Sequence, residues 1–209
     1  MTSASDPHLI ASVDALREVV GQPRKGLDAK VIGQLDAFAV DFLSKCPFLV
    51  MSTADSQGRL DASPKGDAPG FVLIESDTTI VIPDRPGNKL VYGHLNILSN
   101  PQIGVLFMVP GTSETLRING RAELTTDPEL LERLAARGRP AILAIRVQIE
   151  ECFFHCAKAF IRSKLWKPDS WLEGYRVSFG EIMAARTGAD AQVARKFDEL
   201  IEVGYREDL

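Results

Sequence analysis

The sequence predicts a mainly β protein in which six or seven short, mostly antiparallel strands curl into a barrel flanked by helices. Three observations predict it. Runs rich in Val, Ile, Phe and Thr recur between Phe48 and Phe154, each bounded by Gly, Pro or Asp. Hairpin-sized turns join most neighbouring runs, and the segments on either side change to the 3.6-residue period of helices. With that many strands, a closed or nearly closed barrel is favoured over an open sheet, whose edges expose unpaired backbone groups.

Taken in order, Leu9 to Val20 and Leu27 to Leu43 carry apolar residues at helical spacing, with Val31, Leu35, Phe38, Phe42 and Leu43 on one face. Pro47 ends the second helix. "PFLVMSTADSQGRLDASP" then reads as a hairpin turning at "DSQGR". "GFVLIES", "TTIVIP", "IGVLFMVP", "ETLRINGRAEL" and "AILAIRVQIEECFF" supply the further strands, and a helix-sized segment from Leu90 to Leu98 separates the second of these from the third. In "TDPELLERLAARG", Thr126 or Asp127 caps a helix that has Pro128 at its first position and Gly138 at its end. "SFGEIMAARTGADAQVARKFDELIEVGYREDL" reads as two amphipathic helices broken at "TGAD". The expected division is an N-terminal helical extension (1–45), the barrel (46–168), and a C-terminal helical extension (169–209) packed on the same domain.

At 209 residues, 45% hydrophobic and 25% charged, the chain can bury one good core. Its net charge is −4 and its Lys and Arg residues are scattered, so no footprint for nucleic acid is present. Charge, Pro or Gly interrupts every apolar run well short of bilayer length, which argues against a membrane partner. Three cysteines without framework spacing, after an N-terminus that lacks a signal-like apolar core, point to the cytoplasm.

One segment raises a question of charge. "VIPDRPGNKLVYGHLNILSNP" carries Arg85, Asn88 and Lys89 through a Pro/Gly turn into a helix start, in an acidic protein. A helix start offers unpaired N–H groups, Arg grips a phosphate bidentately, Lys adds a point charge, and Gly87 permits close backbone approach. The alternative is that Asp84 neutralises Arg85, Asn88 caps the helix and Lys89 is solvated. In "ASPKGDAPG", Ser63 and Lys65 either face the same anion or lie in a loop where Asp67 pairs with Lys65. "SETLRINGRAEL" sets Thr115, Arg117, Asn119 and Arg121 on one strand face, as a half-exposed strand or as a polar wall for a cofactor.

Cys152, His155 and Cys156 lie close together, but a structural zinc site needs four ligands, usually as two paired motifs; a strand-to-helix junction using Cys as a small hydrophobe fits better. No metal site is expected. Glu150 and Glu151 are adjacent on a strand and point to opposite faces, so they form no acid–base pair. No recognisable proton-transfer or nucleophilic set emerges, as in proteins that leave the chemistry to a cofactor.

The order "FLVMSTADSQGRLDASPKGDAPGFVLIESDTTIVIPDRPGNKLVYGHLNILSNPQIGVLFMVPGTSETLRINGRAEL" resembles the pyridoxamine 5′-phosphate oxidase class of FMN-binding split barrels. The continuation "FFHCAKAFIRSKLWKP" is similar to a subgroup of FMN-dependent enzymes of unknown substrate, and the likeness runs from about Phe48 to Pro168. The resemblance implies a split β-barrel and a homodimer with FMN in a groove at the subunit interface. It implies that Arg85 and Lys89, with Asn88 beside them, hold the phosphate, and that Ser63, Lys65, Thr115 and Arg117 contact the ribityl chain or ring. Arg162 and Trp166 would approach the flavin from the partner subunit. The implied activity is hydride transfer at the isoalloxazine on an unknown small molecule, with no side chain assigned as catalytic. Alternatives are a non-catalytic flavin-binding or redox-sensing protein, or a split barrel binding a deazaflavin or a haem, the last requiring His94 or His155 as axial ligand. The oxidases proper have a C-terminal segment with Arg and His where this chain has helices, and two adjacent cations where it has Asn88 and Lys89. Vitamin B6 oxidation is therefore not expected.

Overall fold

A computed structural model describes Asp6 and residues 8–207, divided into two compact units, the first ending in sequence at Val31 and the second beginning at Ile32. In the first unit, α1 (Val13–Val20) starts where the Ser12 hydroxyl accepts the Ala15 N–H and ends at Gly21. Leu27–Lys30 forms a single 3₁₀ turn.

The second unit holds α2 (Ala37–Lys45), β1 (Phe48–Ala54), β2 (Leu60–Gly66), β3 (Leu73–Ser76), β4 (Thr79–Asp84), α3 (Tyr92–Ser99), β5 (Gln102–Met108), β6 (Thr115–Thr125), α4 (Pro128–Arg133), β7 (Leu143–His155), α5 (Lys158–Ser163), α6 (Phe179–Thr187) and α7 (Ala191–Glu207). The continuous helix expected from Leu27 to Leu43 is not formed. Ile32 instead exchanges backbone hydrogen bonds with Cys152, at 3.1 and 2.7 Å, and α2 starts afresh where Asp36 accepts the Ala39 N–H. That start turns Leu43 into the core and leaves Phe38, expected on the buried face, 76% exposed.

All seven strands pair antiparallel in the order β2-β1-β5-β6-β7-β4-β3. This arrangement is a split barrel: the sheet curls but does not close, and β2 and β3 remain its edges. Pro64 is tolerated in β2 because an edge strand needs hydrogen bonds on one side only. Leu49, Met51, Ile80, Ile82, Phe107, Leu116, Ile118, Ile145 and Val147 fill the main core. Val81 and Ala144 point the other way and pack with Leu130, Leu134 and Ala141. The run "IVIP" in β4 is thus buried on both faces, which explains its unbroken apolar character.

At Gly120 the β6–β7 register shifts in a bulge, and an added Cβ would lie 2.0 Å from the Gln148 carbonyl oxygen. α4 stops at Arg133, short of Gly138, because Ala136 and Arg139 exchange backbone hydrogen bonds around a tight turn with Arg137 and Gly138 at positive φ. Cys152 is buried as a small hydrophobe, whereas Cys156, expected at the same buried junction, is exposed. α6 and α7 are tied by Asp198, which accepts the Ser178 hydroxyl at 2.5 Å and the Gly180 N–H at 2.8 Å. Among the described residues no helix is long and apolar enough to cross a membrane.

Candidate functional site

Alternation along β2 turns Asp61, Ser63 and Lys65 inward and leaves Ala62, Pro64 and Gly66 exposed. Across from them, β4 ends at Asp84, paired with Leu143 of β7, and Ile142 N–H donates to the Asp84 carbonyl at 3.2 Å. The loop leaving β4 and the segment entering β7 therefore depart from the same end of one strand pair. Between them and β2 lies a cleft of about 870 Å³, lined by Lys65, Arg85, Lys89, Arg137, Arg139 and the carboxylates of Asp61, Asp67 and Asp84.

Two ion pairs organise its floor. Lys65 Nζ donates to Asp84 Oδ1, with both side chains largely buried. Arg85 Nε donates to Asp67 Oδ2 at 2.9 Å, and its Nη2 lies 2.9 Å from the same oxygen in an ion pair. The alternative pairings read from the sequence, Asp84 with Arg85 and Asp67 with Lys65, are exchanged. Neighbours along an extended chain diverge, so each acid finds the cation of the other segment. His94 Nε2 lies 3.5 Å from Asp84 Oδ2, buried and with no hydrogen-bond partner. Burial opposes ionisation of Asp84, but Lys65, which donates to it, and the imidazole of His94 beside it outweigh that cost and hold the carboxyl below its ordinary range.

The loop above is held in an uncommon conformation. Lys89 and Val91 both have positive φ, at 61° and 47°, and a β-branched residue rarely adopts that region. Asn88 does not cap α3; its Oδ1 accepts the Leu90 N–H at 3.0 Å and shapes the turn. The N-cap of α3 is Val91, which supplies no side-chain acceptor, so no side chain caps the helix start. Gly93 lets this first turn settle on the sheet: a Cβ there would lie 2.7 Å from Met51 Cε and 3.2 Å from Asp61 Oδ2.

Five of the residues singled out in the sequence, Ser63, Lys65, Arg85, Asn88 and Lys89, line this one cleft. Thr115, Arg117, Arg162 and Trp166 do not. Thr115 is buried opposite His155 in the β6–β7 register. The Arg117 guanidinium lies 4.3 Å from the Phe153 ring centroid, its Nε buried without a hydrogen-bond partner. Trp166 Nε1 donates to the Thr112 carbonyl at 2.8 Å and its ring stacks on Phe160, while Arg162 is exposed in the last turn of α5. Cleft residues that the sequence reading passed over are Asp61, Arg137 and Arg139. Strand alternation was signal enough for Asp61, two residues before Ser63; nothing local marked the arginines.

Comparison with known proteins follows the same region. The sequence profile described as pyridoxamine 5′-phosphate oxidase matches residues 35–156. No curated protein matches the chain. Among solved structures, HupZ from Group A Streptococcus is 19% identical over 57% of this chain and 93% of its own, with a TM-score of 0.46. A protein of the pyridoxinephosphate oxidase family from Clostridium acetobutylicum, related to general stress protein 26, is 13% identical over 55% and 83%, with a TM-score of 0.43. An FMN-binding protein from Syntrophomonas wolfei is 11% identical over 56% and 87%, with a TM-score of 0.41. The profile match spans more than half of the sequence, from the cap of α2 through every strand of the sheet, and the chain belongs to the pyridoxamine 5′-phosphate oxidase family.

Proposed function

We propose that this chain is an FMN-dependent oxidoreductase that acts on a small molecule, with the FMN phosphate seated among Lys65, Arg85 and Lys89 at the uncapped start of α3. The observation that carries the reading is the convergence of these three cations, from two segments separated in sequence, on one cleft of an acidic protein. Bidentate Arg and point-charge Lys suit a phosphate ester, and a helix start adds unpaired N–H groups. Bound FMN would accept or give a hydride; the chain's own residues bind it, orient it and set its electrostatic surroundings.

In this reading Ser63 faces the ribityl chain, Asn88 shapes the phosphate loop, and the protein works as a cytoplasmic homodimer with FMN at the subunit interface. Thr115, Arg117, Arg162 and Trp166, outside the cleft of their own subunit, would act on the flavin bound across that interface. A haem is less well served, because His94 Nε2 is buried against Asp84 rather than presented as an axial ligand.

The test is an absorbance spectrum of purified protein, taken after FMN is added and the excess removed, beside the R85A/K89A double variant. Flavin bands kept by the parent and lost by the variant support the phosphate site. If neither protein retains flavin, the reading falls. Reduction of retained flavin by a nicotinamide cofactor then separates an oxidoreductase from a protein that only binds it.

A further inference from the structure

A second cleft, of about 910 Å³, adjoins the first, with Asp67, Arg85 and Arg137 among the residues common to both. One wall is the connection from β2 to β3, which is pinned to the end of α2. The Gly70 N–H donates to the Cys46 carbonyl at 3.1 Å, and a Cβ at Gly70 would lie 2.9 Å from the Ser44 carbonyl oxygen. The other wall is the end of α4 and the turn after it, anchored by Leu134 in the cluster of Val81 and Leu130. Val72 and Leu134, each 5% exposed, and the half-buried Phe71 and Ile74 give the cleft an apolar interior.

Its charges do not balance. Three guanidinium groups line the cleft, those of Arg85, Arg133 and Arg137, against one carboxylate, that of Asp67. Arg85 is engaged with Asp67, so that pair is neutral. The guanidinium groups of Arg133 and Arg137 have no hydrogen bond or ion pair among the described residues, although acids outnumber bases in the chain and Glu129 and Glu132 stand on the same helix as Arg133. Arg137 also occupies an unfavourable backbone position. With Gly138 it makes the two-residue turn between Ala136 and Arg139, at φ values of 51° and 74°. Such a turn favours Asn, Asp or Gly, so the reason for an arginine lies in its side chain, which lines both clefts.

Two unpaired, exposed guanidinium groups beside an apolar interior suit a ligand with an anionic head and an apolar body. Arginine grips a carboxylate through two parallel hydrogen bonds, and the buried side chains take the rest of the molecule. A bare anion would leave the interior unfilled, and a neutral apolar molecule would leave both cations unanswered. We propose that the second cleft binds a small organic carboxylate with an apolar body, its head held by Arg133 and Arg137 and its body against Val72 and Leu134. The site is separate from the proposed cofactor site and needs no flavin in the first cleft.

The probes are phenylacetate, phenylacetamide and acetate, titrated into the full chain as parent, R133A, R137N and the R133A/R137N double variant, and followed by amide chemical shifts with thermal melts as a control for folding. Phenylacetate is expected to bind the parent about tenfold or more tightly than phenylacetamide, which lacks the charge, and than acetate, which lacks the ring. Its shifts should centre on Val72 and Leu134. R133A and R137N should each weaken phenylacetate several-fold, and the double variant should bind it no better than the amide. R137N places a favoured residue in the turn and should melt no lower than the parent, so that its loss of binding is not a loss of fold. Phenylacetate that fails to bind the parent, binds no more tightly than its amide, or stays bound to the folded double variant overturns the proposal. Shifts confined to Gly87 and Gly93, which line the first cleft alone, do so as well.

Discussion

Lys65, on an edge strand, donates to Asp84 at the end of β4, nineteen residues later, and the pair ties the open edge of the sheet to the strand from which the loop carrying Arg85 and Lys89 departs. His94 faces the second oxygen of the same carboxylate at 3.5 Å. Removing the charge of Asp84 leaves a largely buried ammonium without its partner. Asp84→Asn is therefore expected to lower stability by about 3 kcal/mol, read as a drop in the urea midpoint with an unchanged slope.

Acid should erase that difference. The Asp84 carboxyl is held below its ordinary value of 3.8, so the folded protein keeps it ionised at pH values where the unfolded chain has begun to bind a proton. Its contribution is complete above the unfolded value and disappears as the pH falls through the folded one. Urea midpoints measured from pH 6 downward should show a steeper decline below about pH 4 for the parent than for Asp84→Asn. Parallel curves would mean that the pair contributes nothing to acid sensitivity.

Asp67 competes with the ligand proposed for Arg85. Nε and Nη2 of Arg85 both approach one carboxylate oxygen of Asp67, and an entering phosphate must share or displace that oxygen. Asp67→Ala should accordingly tighten FMN several-fold, while Arg85→Ala weakens it. In Arg85→Ala the further change Asp67→Ala should have little effect, because the competition is already gone. Equal effects of Asp67→Ala in both backgrounds would contradict the competition.

Much of this architecture is legible in sequence because its signals are local. "DSQGR" turns between β1 and β2, "TTIVIP" is a strand buried on both faces, and "TGAD" separates α6 from α7. The break near Ile32 was not legible, since pairing with Cys152, 120 positions away in the chain, overrides the helical spacing of Leu27 to Leu43. The cations of the cleft were visible as residue types, but their partners were not. Asp84 stands beside Arg85 in sequence and pairs with Lys65, a choice made by the packing of β2 against the end of β4.

Two glycines separate global from local stability. An added Cβ at Gly120 meets the Gln148 carbonyl in the middle of the β6–β7 ladder, and one at Gly180 meets the Ala194 carbonyl between α6 and α7, each at 2.0 Å. Backbone must move in both cases. Gly120→Ala is expected to cost about 3 kcal/mol or more of global stability. Gly180→Ala should leave the unfolding midpoint of the sheet nearly unchanged and speed amide exchange in α6 and α7 alone. Loss of protection throughout the sheet in Gly180→Ala would show that the hairpin is part of the same cooperative unit.

Arg117 offers a test of the flavin and of the dimer together. Its guanidinium rests on Phe153, and its buried Nε has no hydrogen-bond partner, so replacing it by Met removes the charge while keeping an apolar stem on the ring. The stability cost should stay within about 1 kcal/mol, the worth of the lost cation–π contact. If the partner subunit's flavin lies within reach of this charge, the reduced, anionic form loses a stabilising cation. The reduction potential of bound FMN in Arg117→Met should then fall by on the order of 30 mV, equivalent to about 1.4 kcal/mol for two electrons. Because Arg117 lines no part of its own subunit's cleft, a fall seen in the dimer and absent from protein diluted to monomer would place its action across the interface. An unchanged potential in a stable, FMN-loaded dimer would remove Arg117 from the flavin's surroundings and leave it a packing residue of the β6–β7 face.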